Sequence, residues 1–246
     1  LKGADMSLSW FDGYEPMPGI ELTNFDLDLS GPMPSLSAEL SLKPYRIRNI
    51  GYDFETTAGS FGLRGEAAWS LPYESFRTYE YVACEEIEWA AGIDWMPGSW
   101  RITAEYSGKF LPSFEEAGAD PLIGTEPDLA QLTMLMATPG FDLTEYVRQQ
   151  VGAFNRLYNN QLERSYHSAG VRIEKDLFYG KLAPSLTSLF NFTSRDFLLM
   201  PELIYKPADG LTVSLGGEYY SGKKGSIYDL VDEFMNCVRF SMRVDF

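Results

Sequence analysis

The sequence predicts an all-β fold, a single antiparallel β-barrel of about twelve strands with one long and partly helical connection. Three observations lead to this prediction. Segments of alternating apolar and polar residues recur along the 246-residue chain, and most are as long as the strands of a small barrel. Short turn-forming sequences such as PADG and YGK separate several of them. Aromatic residues, which favour strands, make up 15% of the chain.

The alternation begins close to the first residue. The first strand places Met6, Leu8 and Trp10 on one face, with two serines between them. The clearest case is the seventh strand, WRITAEYSGKF, in which all charged residues fall on the face opposite the aromatic ones. A helix would scatter those charges around its circumference. The predicted strands lie at about 4–10, 24–30, 35–42, 49–55, 61–71, 86–95, 100–110, 169–177, 182–193, 197–206, 211–219 and 237–246.

The long connection spans residues 111–166 and interrupts this pattern. Leu143, Val147 and Val151 repeat at helical spacing, and Asp142 and Glu145 have the spacing of a capping box, so a helix is predicted at about 142–164. The preceding residues are rich in proline, glycine and acidic side chains, which is typical of a loop. Because no Gly/Ser-rich linker divides the chain, the sequence predicts one domain, 1–246.

Composition excludes several classes of function. The net charge is −15 and no basic run is present, which argues against nucleic acid as a partner. No apolar stretch reaches the roughly 18 residues of a transmembrane helix. Cys84 and Cys237 are too few for a disulfide framework and lack metal-ligand spacing. Neither a metal site nor a cofactor is predicted.

The connections favour a membrane barrel over a soluble one. The predicted turns at 31–34, 58–60, 96–99, 179–181 and 207–210 would lie at one end of the barrel, and all are short. The long connections at 11–19, 72–85, 111–166 and 221–236 would lie at the other end, together with two short ones at 43–46 and 194–196. This asymmetry is typical of outer-membrane barrels. Aromatic residues near strand ends on the apolar face fit interfacial girdles: Trp10, Trp95, Trp100, Phe110, Tyr205, Tyr219 and Phe246. In a soluble sandwich or lipocalin-like barrel the same aromatics would fill the core.

The end of the chain carries a resemblance. In VRFSMRVDF, apolar residues occupy every second position: Val238, Phe240, Met242, Val244 and Phe246. This segment resembles the C-terminal assembly signal of bacterial outer-membrane β-barrel proteins, and the strand-turn-strand segments are similar to those of porin-like barrels of Gram-negative bacteria. The resemblance implies an integral outer-membrane protein in contact with lipid, inserted by the barrel assembly machinery. The strands could also be the last twelve of a larger barrel.

The face opposite the apolar one is predicted to line a lumen. Its charged residues are Asp26, Asp28, Glu39, Asp53, Glu55, Arg64, Glu66, Glu88, Asp94, Arg101, Glu105, Lys109, Arg172, Glu174, Asp176, Glu218, Arg239 and Arg243. Acidic residues are in excess, so an open lumen would favour cations. Alternatively, the charges pair across neighbouring strands and only fill the interior. The sequence therefore predicts a porin-like channel or passive transporter for small solutes, with no enzymatic activity.

Two other functions stay open. The barrel could be a membrane-anchored scaffold that binds a protein partner through its outer loops. It could also be a surface hydrolase that uses His167, the only histidine, as the base for a serine. Ser165 shares the strand parity of His167, whereas Ser168 would point to the other face.

Overall fold

The computed structural model describes residues 3–28, 35–118, 134 and 136–245. These residues form a mostly β fold, which confirms the predicted fold class at that level. The strands are β1 (Ala4–Tyr14), β2 (Gly19–Asp28), β3 (Ser35–Lys43), β4 (Arg46–Ala58), β5 (Phe61–Pro72), β6 (Glu86–Trp95), β7 (Trp100–Phe110), β8 (Ser165–Lys175), β9 (Leu182–Asn191), β10 (Phe197–Ala208), β11 (Leu211–Ser221) and β12 (Cys237–Val244). The helices are α1 (Leu143–Tyr158) and α2 (Ile227–Met235).

Ten strands form one antiparallel sheet in the order β1-β4-β5-β6-β7-β8-β9-β10-β11-β12, called the main sheet below. Strands β2 and β3 pair only with each other and form a separate hairpin. Within the described residues, the outer edges of β1 and β12 have no partner strand, so the main sheet is not closed into a barrel. The prediction that the second and third strands belong to the same sheet as the others is wrong.

The hairpin leaves the main sheet because its apolar residues pack on a helix. Leu22 of β2 is buried against Val147 and Val151 of α1, and Ile20 and Phe25 pack around them. Strand β1 instead pairs with β4 along its whole length, from Ala4 opposite Thr56 to Tyr14 opposite Arg46. Apolar alternation in β2 shows that one face is covered, but not whether a helix or lipid covers it.

Asn155 of α1 joins the helix to the hairpin and to the segment 73–85. Its side-chain nitrogen donates to the carbonyl oxygens of Ile20, at 2.7 Å, and Glu80, at 3.1 Å. Its side-chain oxygen accepts from the backbone nitrogen of Ile20 at 2.9 Å. Asn155 is 3% exposed, so water does not reach these groups. A single buried amide therefore satisfies backbone groups of two separate segments.

Replacement of Asn155 by alanine is expected to lower the free energy of unfolding by about 2–3 kcal/mol, because each buried polar group that loses its partner costs about 1–3 kcal/mol. Equilibrium denaturant unfolding measures the change. The control is Asn24→Ala, because Asn24 is an exposed residue of the same hairpin. Equal effects of the two substitutions would show that Asn155 does not hold the hairpin to α1.

The two ends of the main sheet carry different connections. Residues 59–60, 96–99, 176–181 and 209–210 form short connections at one end, called the short-turn end. Residues 15–45, 73–85, 111–164, 192–196 and 222–236 form connections at the other end, called the long-connection end. At the long-connection end, 73–85, 111–164 and 222–236 are long as predicted, whereas 192–196 is as short as the connections of the other end. The separate connections predicted at 11–19 and 43–46 are replaced by 15–45, which contains the β2–β3 hairpin. The predicted turn at 31–34 lies outside the described residues.

Helix α1 begins as predicted, and its end differs from the prediction. The Asp142 side chain accepts from the backbone nitrogens of Thr144 and Glu145, at 2.9 and 3.2 Å. The helix ends at Tyr158 and not at 164, because Asn160 takes a positive φ of 55°. Helix α2 was not predicted, although Ser226 and Asp229 have the spacing of a helix cap. None of the helices in the described residues is both long and apolar enough to cross a membrane.

Candidate functional site

The main sheet separates its side chains into two faces. Residues that lie directly opposite one another in neighbouring strands share a face of the sheet. This relation can be followed from Ser7 of β1, which lies opposite Asp53, to Arg239 of β12, which lies opposite Gly216. The face to which these residues belong is called the polar face. It carries Asp53, Glu55, Arg64, Glu66, Glu88, Asp94, Arg101, Glu105, Lys109, Arg172, Glu174, Glu218, Arg239 and Arg243. Strand β10 adds apolar residues to this face, among them Met200 and Ile204.

Four predicted lumen residues lie elsewhere. Asp26, Asp28 and Glu39 belong to the β2–β3 hairpin, so they are not on the main sheet. Asp176 follows the last residue of β8, and its carboxylate lies 3.4 Å from the Arg101 guanidinium. The hairpin residues were assigned wrongly because a hairpin packed on a helix has the same alternation as a strand of a barrel.

The polar face lines a cavity of ≈ 530 Å³. Side chains of β1 and of β4 to β8 contribute to it, and Asn160 and Tyr166 border it at the long-connection end. A single cavity bordered by so many neighbouring strands means that the sheet is concave on this face. Its charged lining consists of Asp53, Glu66, Glu88, Glu105 and Lys109.

The carboxylates of this cavity differ in their partners. Lys109 lies 3.0 Å from Glu88, and the Arg64 guanidinium lies 3.2 Å from Glu105. Asp53 accepts a hydrogen bond from the Ser7 hydroxyl. Within the described residues, no Lys, Arg or His nitrogen lies within 4.0 Å of the Asp53 or Glu66 carboxylate. The cavity therefore keeps unbalanced negative charge on β4 and β5.

Lys109 connects the cavity to the segment that follows α1. Its ammonium group lies 2.8 Å from Glu86 and donates to the carbonyl oxygen of Asn159 at 2.9 Å. Its side chain is 13% exposed. Gln161 joins the same network, because its side-chain nitrogen donates to Glu86 at 2.7 Å. The residues that directly follow α1 are thus fixed at the mouth of the cavity.

The opposite face of the main sheet is called the apolar face. Its side chains are exposed in every part of the sheet, from Leu8 of β1, which is 79% exposed, to Val238 of β12, which is 82% exposed. All five tryptophans of the chain are on this face: Trp10, Trp69, Trp89, Trp95 and Trp100. It also carries Val238, Phe240, Met242 and Val244 of the predicted assembly signal. Phe246 lies outside the described residues.

His167 lies on the apolar face and not in the cavity. Its Nδ1 atom is 2.6 Å from the Tyr106 hydroxyl, and its ring centroid is 6.3 Å from that of Trp89. Ser165 has the same parity, as predicted, whereas Ser168 lines the cavity on the polar face. The only described hydrogen-bond partner of the imidazole is therefore a tyrosine, and no serine is bonded to it.

The cysteines and the carboxylates form no further site in the described residues. Cys84 and Cys237 are both free. Burial raises the pKa of the Cys84 thiol, which keeps that thiol in its protonated and less reactive form. No group of three or more His, Cys, Asp or Glu residues within the described part of the chain could hold a metal ion.

Sequence reasoning missed the residues that close the cavity at the long-connection end, Asn160 and Tyr166. Asn160 follows the end of α1, which was predicted several residues too late, and Tyr166 lies in β8, whose start was predicted at 169 and not at 165. No protein-family model matches the chain, and no curated protein matches it significantly. The functional argument therefore depends on the geometry of the two faces.

Proposed function

We propose that the main sheet is the wall of a transmembrane β-barrel and that the protein is a porin-like channel for small solutes in a bacterial outer membrane. The apolar face would contact lipid, and the polar face would line a water-filled lumen that prefers cations. One observation carries the proposal. Every strand of the main sheet exposes at least one large apolar side chain on the apolar face, whereas the charged face lines the cavity.

The extent of the apolar face supports lipid as its environment. Soluble monomers rarely expose a contiguous apolar patch larger than about 300–600 Å². Here exposed apolar side chains follow one another across neighbouring strands, and Leu8, Val238 and Phe240 each expose 70% or more of their surface. Water contact over such an area would be unfavourable, whereas contact with lipid would stabilise it. The asymmetric connections support the same proposal.

A barrel also requires partners for β1 and β12. These strands run antiparallel to each other, because every neighbouring pair in the main sheet is antiparallel. They can pair with each other or with strands outside this sequence. In the proposal, the apolar residues at every second position of β12 are also the signal that the barrel assembly machinery recognises.

The cavity charge supports cation preference. Glu66 and Asp53 face the cavity without a basic partner in the described structure, so their field is not cancelled locally. Rings of carboxylates attract positive solutes. The proposal requires no catalytic step, because selectivity follows from the lumen charge alone.

Replacement of Glu66 by glutamine is expected to lower the cation-to-anion permeability ratio about twofold, because a unit charge about 8 Å away contributes about 0.5 kcal/mol in water. The reversal potential of single channels in a planar bilayer under a salt gradient measures this ratio. Glu39→Gln on the hairpin is the matched control. An unchanged reversal potential for Glu66→Gln would contradict the proposed role of the cavity charge, and wild-type protein that never conducts would contradict the channel.

A scaffold function is the second candidate, and the hairpin favours it. Leu40 and Leu42 of β3 are 56% and 67% exposed, and Phe234 of α2 is 73% exposed. These side chains lie in the connections at the long-connection end, where a protein partner could cover them. A folded, membrane-inserted protein without conductance would support this candidate.

A hydrolase dependent on His167 is the weakest candidate, because the imidazole lies on the apolar face. It would be supported only if the protein had a hydrolytic activity and His167→Ala abolished it.

A further inference from the structure

Five residues form one cross-strand row on the polar face. Glu55, Arg64, Gly92, Glu105 and Gly170 lie opposite one another in β4, β5, β6, β7 and β8. The Arg64 side chain of β5 extends across the neighbouring strand β6. Its Nη2 atom lies 3.2 Å from Glu105, which is two strands away, and its Nη1 atom lies 2.9 Å from Asp94 of β6.

Gly92 makes this reach possible. Neighbouring strands are about 4.8 Å apart, so Arg64 must cross about 9.6 Å of sheet surface to meet Glu105. The path passes directly over Gly92. A Cβ atom at residue 92 would lie 2.8 Å from Nε and 3.1 Å from Cγ of Arg64. Any other residue at this position would therefore force the arginine to move.

We propose that Gly92 determines the lumen charge and width by letting Arg64 lie flat on the sheet. In this position the guanidinium neutralises Asp94 and Glu105 and leaves the cavity open. A larger residue at position 92 moves the guanidinium away from the sheet and into the lumen. The positive charge then opposes cations, and the side chain narrows the passage. This inference depends on the proposed channel and names the residue pair that tunes its selectivity.

The space above Gly92 determines the position of the Arg64 side chain more than its ion pairs do. The side chains of Arg64 and Glu105 are 43% and 44% exposed, and ion pairs of such exposure stabilise little. They cannot hold the arginine against a clash at position 92. The position of Arg64 therefore depends on the absence of a side chain on Gly92.

The first test is the Gly92→Val substitution in a planar bilayer. We expect a fall of about twofold in the cation-to-anion permeability ratio, as for one unit charge brought near the ion path, together with a lower single-channel conductance. Gly170→Val is the matched control, because a Cβ atom there would meet its nearest neighbour, the Ser188 carbonyl oxygen, at an ordinary 3.5 Å. In an Arg64→Gln background, Gly92→Val should no longer change the permeability ratio.

The second test does not need conductance. A double-mutant cycle of Arg64→Gln and Glu105→Gln should show a coupling of about twofold to fivefold in the unfolding equilibrium constant. The coupling should disappear when Gly92→Val is present. A conducting channel whose permeability ratio and coupling both survive Gly92→Val would overturn the inference and leave the proposed channel intact. Loss of the coupling in a protein that never conducts would contradict the channel while supporting the position of Arg64 on Gly92.

Discussion

In the proposed barrel, replacement of Ala91 by arginine is expected to cost about 2–4 kcal/mol of the free energy of unfolding in lipid, which is the cost of an arginine on the lipid-facing side near the bilayer midplane. Ala91 is exposed, lies near the middle of β6, and belongs to the apolar face. Reversible denaturant unfolding in lipid vesicles measures the change. The same substitution on a water-facing surface would change the free energy by no more than about 0.5 kcal/mol.

Ala90 provides the matched control. It is the preceding residue of β6, has the same side chain, and lines the cavity on the polar face. Ala90→Arg is expected to change the free energy of unfolding much less, because the guanidinium would enter a polar cavity near Glu66 and Glu105. Equal costs for the two substitutions would contradict the assignment of the faces to lipid and water.

Replacement of Lys109 by methionine is expected to cost about 2–3 kcal/mol of the free energy of unfolding. The change leaves Glu86 and Glu88 without their cation and the Asn159 carbonyl without its donor. Removal of one partner from a fully buried ion pair costs about 3–5 kcal/mol, and the partial exposure of Glu88 lowers this figure. The same denaturant experiment measures it.

The control for this substitution is Lys181→Met. Lys181 lies in the connection 176–181, is exposed, and forms no ion pair within the described residues. A difference of less than about 0.5 kcal/mol between the two variants would mean that Lys109 does not fix the end of α1 to the cavity. A large difference would also predict that α1 becomes more accessible to protease in Lys109→Met.

The sequence predicted most strands because side-chain alternation reports directly which residues share a face. It failed for β2 and β3, which form a separate hairpin: the apolar residues of β2 pack on α1, and Leu40 and Leu42 of β3 are exposed. Leu22 illustrates the difficulty, because its partner Val147 is far away in the sequence. Alternation identifies a covered face and gives no information on what covers it.

The sequence was enough to predict which residues share the polar face, but not how their side chains are arranged there. Parity alone placed Asp53, Glu66 and Glu105 on one face. The bridge from Arg64 across Gly92 could not be predicted, because it depends on the register of three neighbouring strands. A glycine inside a strand suggests a close approach of another group, but the sequence does not show which group approaches.

The tryptophan fluorescence of the unmodified protein in brominated lipids tests the central claim most directly. All five tryptophans lie on the apolar face of the main sheet, so no engineered probe is needed. If that face contacts lipid, bromine on the acyl chains should quench most of the emission, and a water-soluble quencher should have little effect. Strong quenching from the aqueous phase, with none from the brominated lipid, would contradict a membrane-spanning sheet.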